Sequence, residues 1–204
     1  MSSKQVIPSQ MLQRLVVIST LLILIVIAHA HQPGIESSPE ARIARRYNAQ
    51  VSDQVAYVSA LSSEESLNLT LEDVKGVKRT LSKYHGKVVL LNFWASWCSP
   101  CLKEMPDLEK LAREMKGLPF SLVALSSDDS WDQIHKVFGD QKLKIEIYRD
   151  PTIEAKKQQL RYGTEKLPET YVIDKQGKIR LRFINVQPWN DPEIRSYLEW
   201  LANQ

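Results

Sequence analysis

Cys98 and Cys101 are the chain's two cysteines, separated by Ser99 and Pro100. Two thiols cannot build a disulfide-rich scaffold, so their spacing has to be read as chemistry. At the start of a helix, residues three apart are neighbours, about 5–6 Å from one another, which is within the Cα separation a disulfide accepts. Such a pair can close and open while the backbone stays still. The first cysteine would face the unpaired N–H groups of the opening turn and the positive end of the helix dipole, and both favour thiolate. A thiol of pKa about 8.5 is only about 3% ionised at neutral pH, whereas one lowered to about 7 is about half ionised. Lower intrinsic nucleophilicity offsets part of that gain. Cys98 is therefore expected to attack and Cys101, one turn deeper, to resolve. A zinc half-site would need two more soft ligands, but there is no third cysteine, and His85 and His135 show no ligand spacing. A purely structural bridge would close so small a loop that it would stabilise little.

Such a pair needs a strand beneath it and a helix behind it. Val88-Val-Leu-Leu-Asn-Phe-Trp94 is a nearly continuous apolar run, the pattern of a strand covered on both faces. A helix is predicted from about Cys98 to Met115, with Cys101, Met105, Leu108, Ala112 and Met115 on one face and Pro106 expected to kink it. Phe120–Leu125 reads as a second buried strand, and Trp131, Ile134 and Phe138 place a short helix after it. Upstream, Ser38-Pro39 opens a helix predicted over residues 39–60, its stripe of Ile43, Tyr47, Val51, Val55 and Val58 packing on the main domain. Leu67–Leu71 alternates as a half-buried strand before a turn at Asp73–Gly76. Downstream, Asp150-Pro151 is expected to start a helix running to about Arg161 by the same cap-then-proline logic. Thr170–Asp174 and Lys178–Phe183 flank the turn Lys175-Gln176-Gly177 as a hairpin, and Asp191-Pro192 opens a last helix that buries Ile194, Tyr197, Leu198 and Leu201. Lys178, Arg180 and Arg182 alternate with Ile179, Leu181 and Phe183 and read as a solvated strand face. Strands alternating with helices and ending in a hairpin plus a helix predict an α/β sandwich with a mixed central sheet.

The 204 residues, 43% hydrophobic and 25% charged, suffice for one packed core and exclude a low-complexity or collagen-like chain. Of the formal net charge of +3, Lys4 and Arg14 account for two, so the remainder is nearly neutral and lacks the strong basicity of a nucleic-acid binder. Residues 15–28 run without a charge into Ala28-His29-Ala30. A basic start, a short apolar stretch and small residues around a bulky one describe a secretory signal peptide cut after Ala30. The alternative is a retained membrane anchor: fourteen helical residues span about 21 Å at roughly 1.5 Å each, short of a hydrocarbon core of roughly 30 Å. In either case the rest of the chain lies outside the cytoplasm, where a redox partner must hold the pair reduced or oxidised.

With these elements in place, Asn92-Phe-Trp-Ala-Ser-Trp-Cys-Ser-Pro-Cys-Leu-Lys-Glu-Met-Pro106 resembles the active-site segment of exported thioredoxin-fold oxidoreductases of the TlpA/ResA/CcmG type. Leu167-Pro-Glu-Thr-Tyr-Val-Ile-Asp-Lys-Gln-Gly177 is similar to the family's second hallmark, about seventy residues further on. The resemblance covers roughly residues 66–204 and implies a thioredoxin-like three-layer α/β/α sandwich. Residues 31–65 then form a linker and N-terminal helical extension, and residues 1–30 the signal or anchor. It also implies that Pro168 is cis and lies against the cysteines, leaving nearby main chain to hold an extended substrate strand by β-augmentation.

The substrate-binding surface would comprise Trp97, Pro100, Leu167, Pro168 and Glu169. Glu104, three residues past Cys101 on the same helix face, stands where reducing members carry an acid. A buried carboxyl there has a raised pKa and can exchange a proton with the resolving thiol. Ordinary thioredoxins have an aspartate before Phe93; here Asn92 cannot titrate, so that role would shift to Glu104 or water. The implied function is reduction of substrate protein disulfides, with apocytochrome c as a specific substrate. No cofactor is called for, the chain is expected to be a monomer in the periplasm or on the outer membrane face, and a membrane electron donor of the DsbD/CcdA type would re-reduce it. The competing readings are a general envelope disulfide reductase and a redox-silent peptide-binding module. A thiol peroxidase is disfavoured by the lack of a suitably placed arginine.

Overall fold

A computed structural model describes residues 38–51, 61–139, 145–152 and 157–204. The segment expected to be a signal peptide or anchor, and Val55 and Val58 of the expected first helix, lie outside the described residues. Among the described residues no helix is long and apolar enough to cross a membrane. Pro39–Gln204 makes up one compact unit.

The described elements run α1 (Pro39–Tyr47), β1 (Ala49–Val51), α2 (Ser63–Leu67), β2 (Thr70–Glu72), β3 (Lys78–Thr80), β4 (Val88–Trp94), α3 (Ser99–Glu114), β5 (Phe120–Ser126), α4 (Trp131–Phe138), β6 (Glu146–Arg149), β7 (Glu169–Ile173), β8 (Ile179–Ile184) and α5 (Pro192–Ala202). Short 3₁₀ helices occupy Leu81–Tyr84 and Gln158–Tyr162. The strands form one sheet in the order β1-β8-β7-β4-β5-β6-β2-β3. β4, β5 and β6 are parallel, and the other neighbours are antiparallel, so the sheet is mixed as expected.

β4 is buried along its whole length because both faces are covered. Val88, Leu90 and Trp94 pack with Leu108 and Leu111 of α3, Ile43 of α1 and Ile194 and Leu198 of α5. Val89, Leu91 and Phe93 face the other way, onto Leu67, Leu81 and Tyr162. The second outer layer is thin, built from α2 and the two 3₁₀ turns. Gly177, at φ 85° in the β7–β8 turn, lets α2 come close: a Cβ there would lie 2.7 Å from Leu67 Cδ1 and 2.9 Å from the Ser63 carbonyl.

Four expectations change. The first helix stops at Tyr47, because Asn48 takes a left-handed φ of 49° and the chain turns to lay β1 antiparallel on β8. Ile43, Tyr47 and Val51 still reach the core, so the stripe packs on the domain as anticipated. Leu67 ends helix α2, whose Ser62–Glu65 capping box sets its start, and the strand begins only at Thr70. Asp150 starts no helix among the described residues; its buried carboxylate accepts from the Thr152 and Gln158 backbone N–H groups at 2.9 and 2.7 Å. Finally, β8 is not a solvated cationic face. Arg182 is 8% exposed and paired with Glu169, and Arg180 is paired with Glu40 and Asp174. β3 and β6 are further strands not anticipated from sequence. β3 forms one edge of the sheet, and its Lys78, Arg79 and Thr80 are all exposed.

Candidate functional site

β4 delivers the chain to the site at Trp94, and Ala95–Trp97 turns it into α3. That turn is pinned by Asp128, just beyond β5. One carboxylate oxygen accepts from Ser96 N–H at 2.8 Å and Ser126 Oγ at 2.5 Å, the other from Ser96 Oγ at 2.7 Å. Asp128 is 1% exposed, so these bonds form away from water and fix where the helix begins.

Cys98 is the N-cap of α3 and Pro100 sits in its first turn, as the cap-then-proline pattern favours. Cys98 and Cys101 are joined as a disulfide, with an S–S distance of 2.08 Å and Cα atoms 5.3 Å apart. The Cys101 backbone N–H points at Cys98 Sγ from 3.3 Å, so an amide of the opening turn is directed at the sulfur expected to become the thiolate. Cys98 is 5% exposed and Cys101 fully buried, so Cys98 is the more accessible sulfur of the two. Beside them Trp97 is 68% exposed, with Ser99 and Pro100 also at the surface.

Glu104 lies on the next turn of the same helix, buried at 1% exposure rather than solvated. Its Oε1 accepts from Asn92 Nδ2 at 2.9 Å; its Oε2 accepts from Trp189 Nε1 at 2.9 Å and from Gln187 N–H at 3.4 Å. Asn92 uses its second N–H on Thr170 Oγ1 at 2.9 Å, and its own oxygen has no partner among the described residues. Burial pushes the Glu104 carboxyl up to about 7, and the three N–H donors only partly oppose it. The site thus holds a carboxyl able to gain or lose a proton near neutrality, one turn from the resolving cysteine.

The Leu167–Pro168 bond is cis. Pro168 is buried and its carbonyl accepts from Asn185 N–H at 3.0 Å, while Leu167 is half-buried against both apolar clusters. Glu169 begins β7, and its side chain faces the opposite side of the sheet from Glu104. Its carboxylate receives Arg182 Nη2 at 2.6 Å and Nε at 3.0 Å, Thr164 Oγ1 at 2.6 Å and Tyr171 O–H at 3.1 Å. It is 3% exposed, so its charge can reach a substrate only through its neighbours.

Of the residues singled out from sequence, Cys98, Cys101 and Glu104 gather on one helix, with Trp97 and Pro100 at its exposed start. Leu167 and Pro168 lie at the head of β7, two strands from β5 in the sheet, and Glu169 turns away beneath them. Sequence reasoning missed Asp128, Thr170, Gln187, Trp189 and Arg182. Each contributes through a partner at least 13 residues distant, and no local pattern encodes such pairings. Among the described residues no group of His, Cys, Asp and Glu is arranged to hold a metal ion.

The AhpC/TSA family model matches residues 63–182. Thiol-disulfide oxidoreductase ResA of Bacillus thuringiensis subsp. konkukian is 34% identical over 116 residues, or 57% of this chain and 65% of that protein. ResA of Bacillus anthracis is 32% identical over 136 residues, or 67% of this chain and 76% of that protein. The chain therefore spans just under two thirds of the first relative's length and about three quarters of the second's. Among solved structures, the pneumococcal exposed lipoprotein thioredoxin (Etrx1) of Streptococcus pneumoniae aligns at 29% identity and a TM-score of 0.55, covering 65% of this chain and 98% of that one. The mixed sheet, the CxxC pair heading α3 and the cis-proline before β7 correspond to the thioredoxin-like fold of these relatives, and the chain belongs to the AhpC/TSA family.

Proposed function

We propose that this chain is an exported reductase of protein disulfides. In the reduced form, the Cys98 thiolate attacks one sulfur of a substrate disulfide, forming a mixed disulfide and releasing the other substrate sulfur as a thiolate, which takes a proton. Cys101 then loses its proton and attacks Cys98 Sγ. The Cys98–Cys101 bond forms, the mixed disulfide breaks, and the second substrate sulfur leaves and is protonated. Two electrons and two protons pass to the substrate, and a dithiol donor at the membrane returns the enzyme to its reduced form. Glu104 accepts the Cys101 proton, since Cys101 is sealed from bulk water and needs a nearby base. The burial of Glu104 one turn from that cysteine, with its carboxyl held near neutrality, is the observation that carries this reading.

The charge-free run over residues 15–28 supports export, and the similarity to thiol-disulfide oxidoreductases supports the thiol–disulfide chemistry. Apocytochrome c is the substrate we favour, because its haem-attachment cysteines must be thiols before ligation. Insulin reduction by the wild-type protein, Cys98→Ser and Glu104→Gln tests the chemistry. We expect no turnover from Cys98→Ser and a loss of about 100-fold at neutral pH from Glu104→Gln; unchanged turnover in Glu104→Gln would remove its proton role. Trapping mixed disulfides with Cys101→Ser tests the substrate. Apocytochromes should dominate the captured proteins, whereas a scattered set of envelope proteins would make this a general reductase.

A further inference from the structure

Among the described residues the Glu104 carboxylate is held by neutral donors alone, and two of the three come from a stretch that the CxxC and cis-proline motifs do not include. Asn185, left-handed at φ 63°, ends β8, and its N–H bonds the carbonyl of Pro168. The Gln187 side chain closes the turn by donating to the Ile184 and Asn185 carbonyls at 2.9 and 3.3 Å. Trp189 N–H then bonds the Gln187 carbonyl at 3.0 Å, which turns the indole inward, where it meets the Phe183 ring edge-on at 5.2 Å. It is 1% exposed. The next residue, Asn190, donates to Asp107, three positions beyond Glu104 on α3. One short loop therefore bonds both the cis-proline and the face of the active-site helix that carries Glu104.

We infer that Trp189 is a positioning residue of this site: its indole N–H, seconded by the Gln187 backbone N–H, holds Glu104 Oε2 and sets how readily the carboxylate form persists beside Cys101. This inference rests on the proton role proposed for Glu104. Packing alone does not explain the indole, since a phenyl ring would pack on Phe183 but would leave Oε2 with one donor. The groups facing Glu104 are Asn92 from β4, itself bonded to Thr170 of β7, Gln187 and Trp189 from the loop, and Asp107 and the cysteine pair from its own helix. Asp107 is the charged neighbour whose field reaches it, and that field favours the neutral acid. Among the described residues no cation is paired with Glu104, so each neutral N–H carries unusual weight.

Following the Glu104 side-chain carboxyl and the Trp189 indole N–H by NMR in the oxidised full chain, across a pH titration, tests this. In wild type the indole resonance should move with the same midpoint as the carboxyl, and Glu104→Gln should abolish its movement. Trp189→Phe should raise the Glu104 midpoint by about one pH unit and shift the pH profile of insulin reduction in the same direction. A carboxyl that titrates while the indole resonance stays still overturns the inference, as does an unchanged midpoint in folded Trp189→Phe. If that variant does not fold, the wild-type titration still decides. Should Glu104→Gln retain full turnover while indole and carboxyl titrate together, the proton role falls and the Trp189–Glu104 coupling stands.

Discussion

Two glutamates are buried on opposite faces of the sheet, each close to a functional motif, and they differ in what opposes their charge. Glu104 meets an amide, an indole and a backbone N–H, and burial carries its carboxyl up to about 7. Glu169 meets the Arg182 guanidinium through two bonds, with the Thr164 and Tyr171 hydroxyls alongside. Burial pushes Glu169 up and Arg182 down, so the loss of water penalises both charges, and the bidentate contact holds the pair ionised. Similar depth therefore gives opposite behaviour: one carboxyl can exchange a proton, and the other is a fixed charge that anchors the head of β7. Depth alone does not make a proton carrier; a buried acid also has to lack a cation.

The largest test of that contrast is Arg182→Met, which strips Glu169 of its counter-charge at similar side-chain volume. It should destabilise the protein by about 3–5 kcal/mol in urea unfolding and leave the pH profile of turnover in place; a profile that moved would mean the two faces are coupled. Next in size is the pH dependence carried by Glu104. Its folded-state pKa lies above the unfolded one, so between the two values the native state keeps a proton that the unfolded chain has released. The stabilisation is complete below the unfolded value of about 4.5 and is lost as pH rises to about 7, a total of about 3 kcal/mol. Urea midpoints measured across that range should fall for wild type relative to Glu104→Gln, and parallel curves would show that the carboxyl is not perturbed. Smallest is Thr164→Val, which removes one hydroxyl from the Glu169 cluster. It should lower stability by about 1 kcal/mol without altering turnover.

Sequence exposed the reacting half of the site better than the half that tunes it. Cys98 and Cys101 obey helix spacing, so local pattern sufficed for them, whereas Glu104 and the cis Pro168 came from the resemblance of their two segments to the TlpA/ResA/CcmG type. Trp189 meets Glu104 across 85 positions of chain, and Asp128 reaches Ser96 across 32; such bonds exist only once the sheet has brought β4, β5 and the loop after β8 together. In the fold, long periodic elements such as β4 and α3 were legible, and short ones were not. The break after Tyr47 depended on a single left-handed Asn48, and β3 has no buried side to betray it. Arg182 misled for a related reason: alternation along β8 marks two faces but does not say that Gln50 and Glu169 wait on the polar one.

The outermost strand also bears on self-association. The sheet ends in β1 on one side and in β3 on the other, and β3 pairs only with β2 among the described strands. Lys78 and Arg79 are both exposed on β3, and Arg79 is held by Asp73 at 2.7 Å. Charged side chains along an edge strand disfavour runaway strand stacking at high local concentration.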